Sequence, residues 1–515
     1  MIDFTIAAVS IVAVFAIYSI QVARKLSGIP GPFVARFTDY WKIYHMVKGD
    51  WAETICWWHQ RHGPLIRIGP NALSVGDPTE VPQIYQTNPL KLLKKGHMYR
   101  GLTAWYKGRD VSGIEGIMDE GEHASIKKVV GQSFSWASVL DYEHLMDRST
   151  MEFMDICQKL EVLDLNKWIS YYTFDTMNGI AFSTDLGCMR QGTDVGGVLK
   201  TVEAVSGLWT YVAAAPTLFM WVARALSFFI GPSGPLVGLC LDRIRSRTEN
   251  MQTEAYSESK RLDLLGVFLE ARRSNPSMIS HEKVIGLTLT TLLTGSETTS
   301  INLAWTVFFL LQNQTSLARL QEEIKTADLS YPPSLKDLCR LSYLSAVIKE
   351  GTRCASTVQL NLERIVPQGG MNLCDRYIPA GTTVGCHQRV IHLNQNVYGY
   401  DAAIFRPERW IESSEEVQRS MDRSGMWFGS GKHMCLGQHF ARAGMMKLLS
   451  TMLMRFKVRF NAVILFLLIY ELIQYRFPPS IPKPSKSLPT ALYESQQALI
   501  TSESTRGKTA IKLKK

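Results

Sequence analysis

Cys435 stands in FGSGKHMCLG, residues 428–437, among three glycines and two residues after His433. A thiol and an imidazole are what a cysteine nucleophile needs. The spacing is wrong for it, because such a base comes from elsewhere in the sequence. A structural thiol would prefer a strand or helix interior to a glycine-rich loop. An axial ligand to a haem fits better. Glycines let backbone approach a flat ring closely, and amides near Leu436 and Gly437, with the start of the next helix, would stabilise a thiolate.

Two other groupings carry chemistry. TLLTGSETTS places Gly295, the acid Glu297 and Thr298 inside an apolar run. A glycine there costs about 1 kcal/mol against alanine, and an acid mid-helix is a second penalty. A tight helix crossing at Gly295 with Glu297 facing solvent accounts for the pair, and so does a site. In SYLSAVIKEGTR, Glu350 and Arg353 are three apart and share a helix face. By itself such a pair is worth little.

The elements that must position these groups are mostly helical. Ser280 to Asn313 reads as one long helix, with Ser280 as N-cap and Glu282 in its first turn. Gln438 to Met454 forms the helix after Cys435. Residues 51–85 read as helix, two short strands around a Gly-Pro turn, then helix. Residues 360–384 alternate like strands between turn signals. Gly207 to Leu239 is very apolar and reads equally as a core helix pair or as a greasy lid touching a membrane.

The ends differ from the body. Phe4 to Val22 is nineteen residues without a charge, followed by Arg24 and Lys25. That is long enough to span a bilayer, with everything after it on the cytosolic side. A cleaved signal peptide is the alternative, but the basic leader and small-residue cleavage site are missing. GIPGP, residues 28–32, then makes a rigid exit. The chain of 515 residues is 46% hydrophobic and 20% charged, so it can bury a large core. Of its net charge of +10, +6 lies from Ile473 onward. A balanced body with a basic tail argues against a nucleic-acid binder. Nine scattered cysteines, with no CxxC pair, exclude a zinc or thioredoxin-type site and read mostly as buried core thiols.

FGSGKHMCLG resembles the ligand loop of the cytochrome P-450 haem-thiolate monooxygenases, with Phe428, Gly431, Cys435 and Gly437 in register. TGSETT is similar to that family's oxygen-groove motif, Glu350 and Arg353 to its Glu-x-x-Arg helix, and FRPERW, residues 405–410, to its Pro-Glu-Arg segment. GEHASIKK resembles the helix whose basic residue meets a haem propionate, here Lys127. IPAGTTVG and Tyr398 to Trp410 look most like fungal enzymes of secondary metabolism. The resemblance covers residues 1–458.

The resemblance implies a mainly α fold with small β-sheets, the cytochrome P-450 fold, plus an N-terminal transmembrane helix. Residues 1–25 would be the anchor, 26–460 the haem domain and 461–515 an apolar-then-basic tail. It implies haem b with Cys435 as the iron's thiolate ligand, Gly295 opening a groove for O2, and Glu297 with Thr298 relaying protons. Lys127, Arg364 and His433 would meet the propionates, and Phe428 would shield the thiolate. Glu350, Arg353 and Arg409 would form a structural triad. Electrons would come from NADPH through NADPH-cytochrome P-450 reductase, docked near Lys432, Arg442 and Lys447. The implied setting is the endoplasmic reticulum membrane, single-pass, catalytic domain cytosolic. The substrate would be an apolar terpenoid, polyketide or alkaloid. A haem-thiolate isomerase or dehydratase, and an inactive haem binder, are the alternatives.

Three features depart from the family pattern. His433 stands where arginine is usual, which makes that charge pH-dependent. Thr294 stands where alanine or glycine is common. After Phe460 the chain reads NAVILFLLIYELIQYRFPPSIPKPSKS, where the family continues into short pocket-lining strands; a retained intron or a change of frame would explain it.

Overall fold

The computed structural model describes residues 21, 23–160, 163–214, 216–229, 234–250, 263–459 and 499–501. The stretch Phe4 to Val22, apart from Gln21, lies outside the described residues. Among the described residues no helix is long and apolar enough to cross a membrane.

The long helix runs from His281 to Gln312, and the Ser280 side chain accepts from the Lys283 amide as its N-cap. Its 32 residues extend about 48 Å. It packs against Leu165–Phe182, Leu264–Ser274, Ser342–Ala355 and Gln438–Arg455, so it is a central beam with apolar residues on several sides. Gly295 has a packing reason: a Cβ there would lie 2.9 Å from the Met177 Cε of Leu165–Phe182. The tight crossing is what the glycine serves. The helix Leu165–Phe182 begins at Asp164, whose carboxylate accepts from the Lys167 amide. The helix Glu120–Val130 is capped by Asp119 and carries acids in its first turn and lysines in its last, each matched to the helix dipole.

Five strands form the main sheet. Leu65–Gly69 pairs antiparallel with Ala72–Val75, which runs parallel to Thr383–Cys386; Arg364–Ile365 follows antiparallel, then Lys94–Lys95 at the edge. The first two strands are wholly buried, the polar Arg67 and Ser74 included. A separate hairpin pairs Met371–Leu373 with Arg376–Ile378. The expected strands at 51–85 and 360–384 are therefore present.

Val198–Ala214 and Pro216–Phe229 lie at the surface. Val202 and Val212 are buried, while Leu208, Tyr211, Trp221, Val222, Leu226 and Phe228 are exposed. The pair is a surface layer that reaches the core through Val198 and Val202 of its first helix. Beyond Phe460 the described residues are few, but Leu499–Thr501 returns to pair antiparallel with Lys457–Arg459. Five of the nine cysteines are buried.

Lys447 does not belong to a docking face. It is 0% exposed. Its ammonium lies 2.5 Å from both Glu143 and Asp147 and donates to the Pro333 carbonyl at 2.6 Å. It ties the helix after Cys435 to Glu143–Lys159. Lys432 and Arg442 remain partly exposed.

Candidate active site

The Cys435 loop is fixed by backbone. The Cys435 amide donates to the Phe428 carbonyl at 2.8 Å, and the Lys432 amide to Gln86 at 3.2 Å. Gly431 has φ +67°, and a Cβ on it would lie 2.1 Å from the Tyr85 carbonyl oxygen. Only glycine suits both demands. Its close approach is to Tyr85, whose hydroxyl in turn bonds Leu362 and Cys386 of the sheet region at 2.8 Å. The root of the loop hangs on His392. The Met426 amide donates to its Nε2 at 3.1 Å, and its Nδ1 lies 3.1 Å from the Arg353 carbonyl. That leaves the ring one tautomer, with the proton on Nδ1.

Cys435 has accessible surface, yet its sulfur is packed closely enough that burial pushes the thiol up. The Gly437 amide, the Lys127 ammonium and the Gln438 amide pull it the other way. The two amides are the start of the helix Gln438–Arg455, a dipole end suited to a thiolate. Phe428, partly buried, holds the loop through its carbonyl.

Beside the loop lies a cationic cluster. Lys127 donates to the carbonyls of Lys432 (2.7 Å) and Met434 (3.2 Å), two of its three donors. Arg364 is 3% exposed, donates to Tyr99 Oη at 3.2 Å and stacks 5.0 Å over the Tyr85 ring. His433 Nε2 sits 3.0 Å from Glu120 Oε2, at an angle that makes no hydrogen bond. The rings of His433 and His123 are 4.4 Å apart. Burial holds His433 below the ordinary imidazole range; Glu120 opposes this, and Arg364 and Lys95 reinforce it. Among the described residues neither nitrogen of His433 nor Nδ1 of His123 has a well-angled hydrogen-bond partner, although all are covered and Glu120 lies close to His433 Nε2. Orphaned donors among lysine and arginine call for an anion with several acceptors. The propionates of a haem ligated by Cys435 fit that donor set. His123 was legible four residues before Lys127, on the same helix face. Lys95 and Glu120 carried no comparable signal.

On the long helix Thr298 donates to the Thr294 carbonyl at 2.6 Å, and Thr294 to the Thr290 carbonyl at 2.8 Å. The unusual threonine at 294 is thus absorbed within the helix. Glu297 is partly buried, and its carboxylate accepts from the Ser206 hydroxyl of Val198–Ala214. Nothing in the sequence pointed to Ser206.

Glu350, Arg353 and Arg409 meet in one buried cluster, at 0%, 1% and 1% exposure. Glu350 Oε1 accepts from Arg353 (2.7 Å), the Arg406 amide (2.9 Å) and Arg409 (3.0 Å); Oε2 accepts from Arg353 and Trp410, both at 2.9 Å. Asp401 adds a second carboxylate, 3.0 Å from Arg409. Two buried positive charges thus face two negative ones, and the more exposed Arg406 side chain also pairs with Asp401.

Three buried histidines give a pH dependence. Burial lowers His59 to about 4, and His387 and His392 to about 3. Between pH 6.5 and 4 the unfolded chain binds protons that the folded one refuses, so stability falls as pH falls. Each histidine contributes up to about 1.4 kcal/mol per pH unit, so the three together reach about 4 kcal/mol per pH unit. Denaturant unfolding of the holoprotein at pH 7, 6 and 5 is expected to show most of that loss in the last step.

A family model described as cytochrome P-450 matches residues 93–464. A cytochrome P-450 monooxygenase of Aspergillus terreus is 31% identical over 465 residues, covering 87% of this chain and 93% of the relative. Cytochrome P-450 monooxygenase pkfB of Emericella nidulans is 29% identical, with 86% and 88% covered. Cytochrome P-450 monooxygenase mfmA of Annulohypoxylon moriforme is 29% identical, with 84% and 87% covered.

Proposed function

The chain belongs to the cytochrome P-450 family of haem-thiolate monooxygenases, and on that premise we propose that it oxidises an apolar secondary metabolite. Its electrons come from NADPH through a membrane-bound flavoprotein reductase. The carrying observation is the Cys435 thiol, faced by the Gly437 and Gln438 amides and flanked by Lys127, Arg364 and His433.

When bound, haem supplies the iron at which O2 is reduced and one oxygen atom passes to the substrate. The helix N-terminus stabilises the Cys435 sulfur as thiolate. Lys127, Arg364, His433 and His123 would hold the propionates. Thr298, whose hydroxyl donates to the Thr294 carbonyl, keeps its oxygen lone pairs as acceptors. Rotating Oγ1–H away from Thr294 would let it pass that proton on, and Glu297, itself protonated from solvent, would replace it. Ser206 holds the Glu297 carboxylate in one orientation.

Replacing Thr298 by alanine is expected to divert electrons to peroxide, raising peroxide per NADPH about tenfold with substrate affinity unchanged. Ser206→Ala gives a smaller rise in the same direction, reversed by Ser206→Thr. Unchanged peroxide in Thr298→Ala removes that residue from the relay.

Membrane attachment rests on Phe4 to Val22 and on a surface. Phe33, Phe37, Tyr40, Tyr44 and Val47 are exposed, and the helix Tyr40–Lys48 packs on Val198–Ala214, whose neighbour exposes Trp221 and Phe228. An apolar face of that extent suits a bilayer. We place the protein at the endoplasmic reticulum membrane with its haem domain cytosolic. Turnover with labelled O2, NADPH and reductase tests the chemistry: the product gains one labelled oxygen. Turnover without reductase, or a product without label, overturns it in favour of an isomerase or dehydratase.

A further inference from the structure

Glu115 lies between the hairpin of Trp105–Tyr106 with Arg109–Asp110 and the helix Glu120–Val130. The buried Lys95 ammonium fixes the path of this segment. It donates to the carbonyls of Ile114 (3.3 Å), Glu115 (2.9 Å) and Ile117 (2.8 Å). The long helix closes from the other side, Gly286 against backbone and Thr290 against Gly113. A Cβ on Gly286 would lie 2.4 Å from the Ser112 carbonyl oxygen, and one on Gly113 would lie 1.8 Å from Thr290 Oγ1.

With both backbones held, the Glu115 side chain meets Thr290, whose hydroxyl donates to Oε1 at 2.7 Å. The other oxygen, Oε2, is covered and accepts no hydrogen bond from the described residues. A covered carboxylate oxygen without a donor is costly, and native proteins keep few of them. Burial pushes the Glu115 carboxyl above the ordinary range, against Thr290, its own amide, Lys95 and Lys283.

The position of this oxygen indicates its use. Thr290, Thr294 and Thr298 are four apart and share one side of the long helix. Glu115 therefore faces the same side as the acid–alcohol pair, about 12 Å along the axis from Thr298. Lys95 already supplies a positive charge near the carboxylate, so the open acceptor calls for a neutral donor and not a cation.

We propose that Glu115 Oε2 receives a hydroxyl of the substrate, so that the protein selects an apolar scaffold already bearing an alcohol or phenol over the bare hydrocarbon. This rests on the reading of the site as that of an apolar-ligand monooxygenase. It also places the reaction after a step that has installed that hydroxyl.

The test uses the haem-loaded full chain and matched ligand triplets: cedrol, its methyl ether and cedrane, and 2-naphthol, 2-methoxynaphthalene and naphthalene. Binding is read by calorimetry, without turnover. The alcohol of at least one triplet is expected to bind about tenfold or more tighter than its methyl ether, which keeps the skeleton and loses the donor. Glu115→Gln keeps an oxygen for Thr290 and puts an amide donor in place of Oε2. It is expected to erase the alcohol's advantage while leaving the hydrocarbon unchanged. Binding of both triplets without preference for the alcohol overturns this inference alone. So does a Glu115→Gln variant that weakens alcohol and hydrocarbon equally, which marks a purely structural residue. Failure of every ligand to bind overturns the apolar-ligand reading, and this inference with it.

Discussion

Glu350→Gln is expected to destabilise the protein by about 3–5 kcal/mol. The substitution changes almost no volume, so the cost is electrostatic. Oε1 accepts from three donors and Oε2 from two. Whichever way a glutamine amide turns, its NH2 faces at least two N–H groups. Arg353 and Arg409 also lose half of the negative charge that balances them, at 1% exposure each. The damage reaches the site by a short path: Arg353 donates to the carbonyls of His392 (2.7 Å) and Ala402 (2.6 Å), and His392 receives the Met426 amide at the root of the Cys435 loop. Denaturant unfolding and haem content of the purified variant measure both effects. A loss below about 1 kcal/mol would mean that solvent reaches the cluster and screens it.

Cys435→Ser is the opposite kind of change. The residue has accessible surface and serine is nearly isosteric, so unfolding stability is expected to move by less than about 1 kcal/mol. Reductase-driven oxidation is expected to fall about a thousandfold or more, which corresponds to roughly 4 kcal/mol of barrier. A hydroxyl does not ionise beside two amides as a thiol does, so the Gly437 and Gln438 donors lose the charge they face. The contrast between the two variants separates the groups that hold the fold from the group that does the chemistry. A Cys435→Ser variant with near-normal turnover would remove the thiolate from the mechanism.

The parts of this molecule that are local in sequence were legible. The long helix was bounded by a real cap at Ser280. The Cys435 loop was marked by glycines, and Gly431 is required at its position. Glu350 and Arg353 announced each other by spacing. What failed to show is what depends on distant chain. Lys447 looks like a surface lysine on a helix, and only Glu143, Asp147 and Pro333, more than a hundred residues away, make it buried. Ser206 reaches Glu297 across ninety-one positions. The reason for Gly431 also differs from the expected one, because its close contact is with Tyr85. The propionate cluster was half readable: Lys127 and Arg364 carried the family pattern and His433 stood at the position where arginine is usual, while Lys95 and Glu120 are brought in by the fold. The apolar run from Gly207 to Leu239 left core and surface equally open, because its composition does not say which side meets solvent. Only packing exposed Trp221 and Phe228.

The most direct test of the central claim is the absorption spectrum of the purified, reduced full-length protein under carbon monoxide. The account predicts stoichiometric haem with a Soret band in the thiolate-ligated position, lost in Cys435→Ser while haem binding persists. A wild-type protein that holds no haem, or that shows the Soret band of an imidazole-ligated haem, would contradict it.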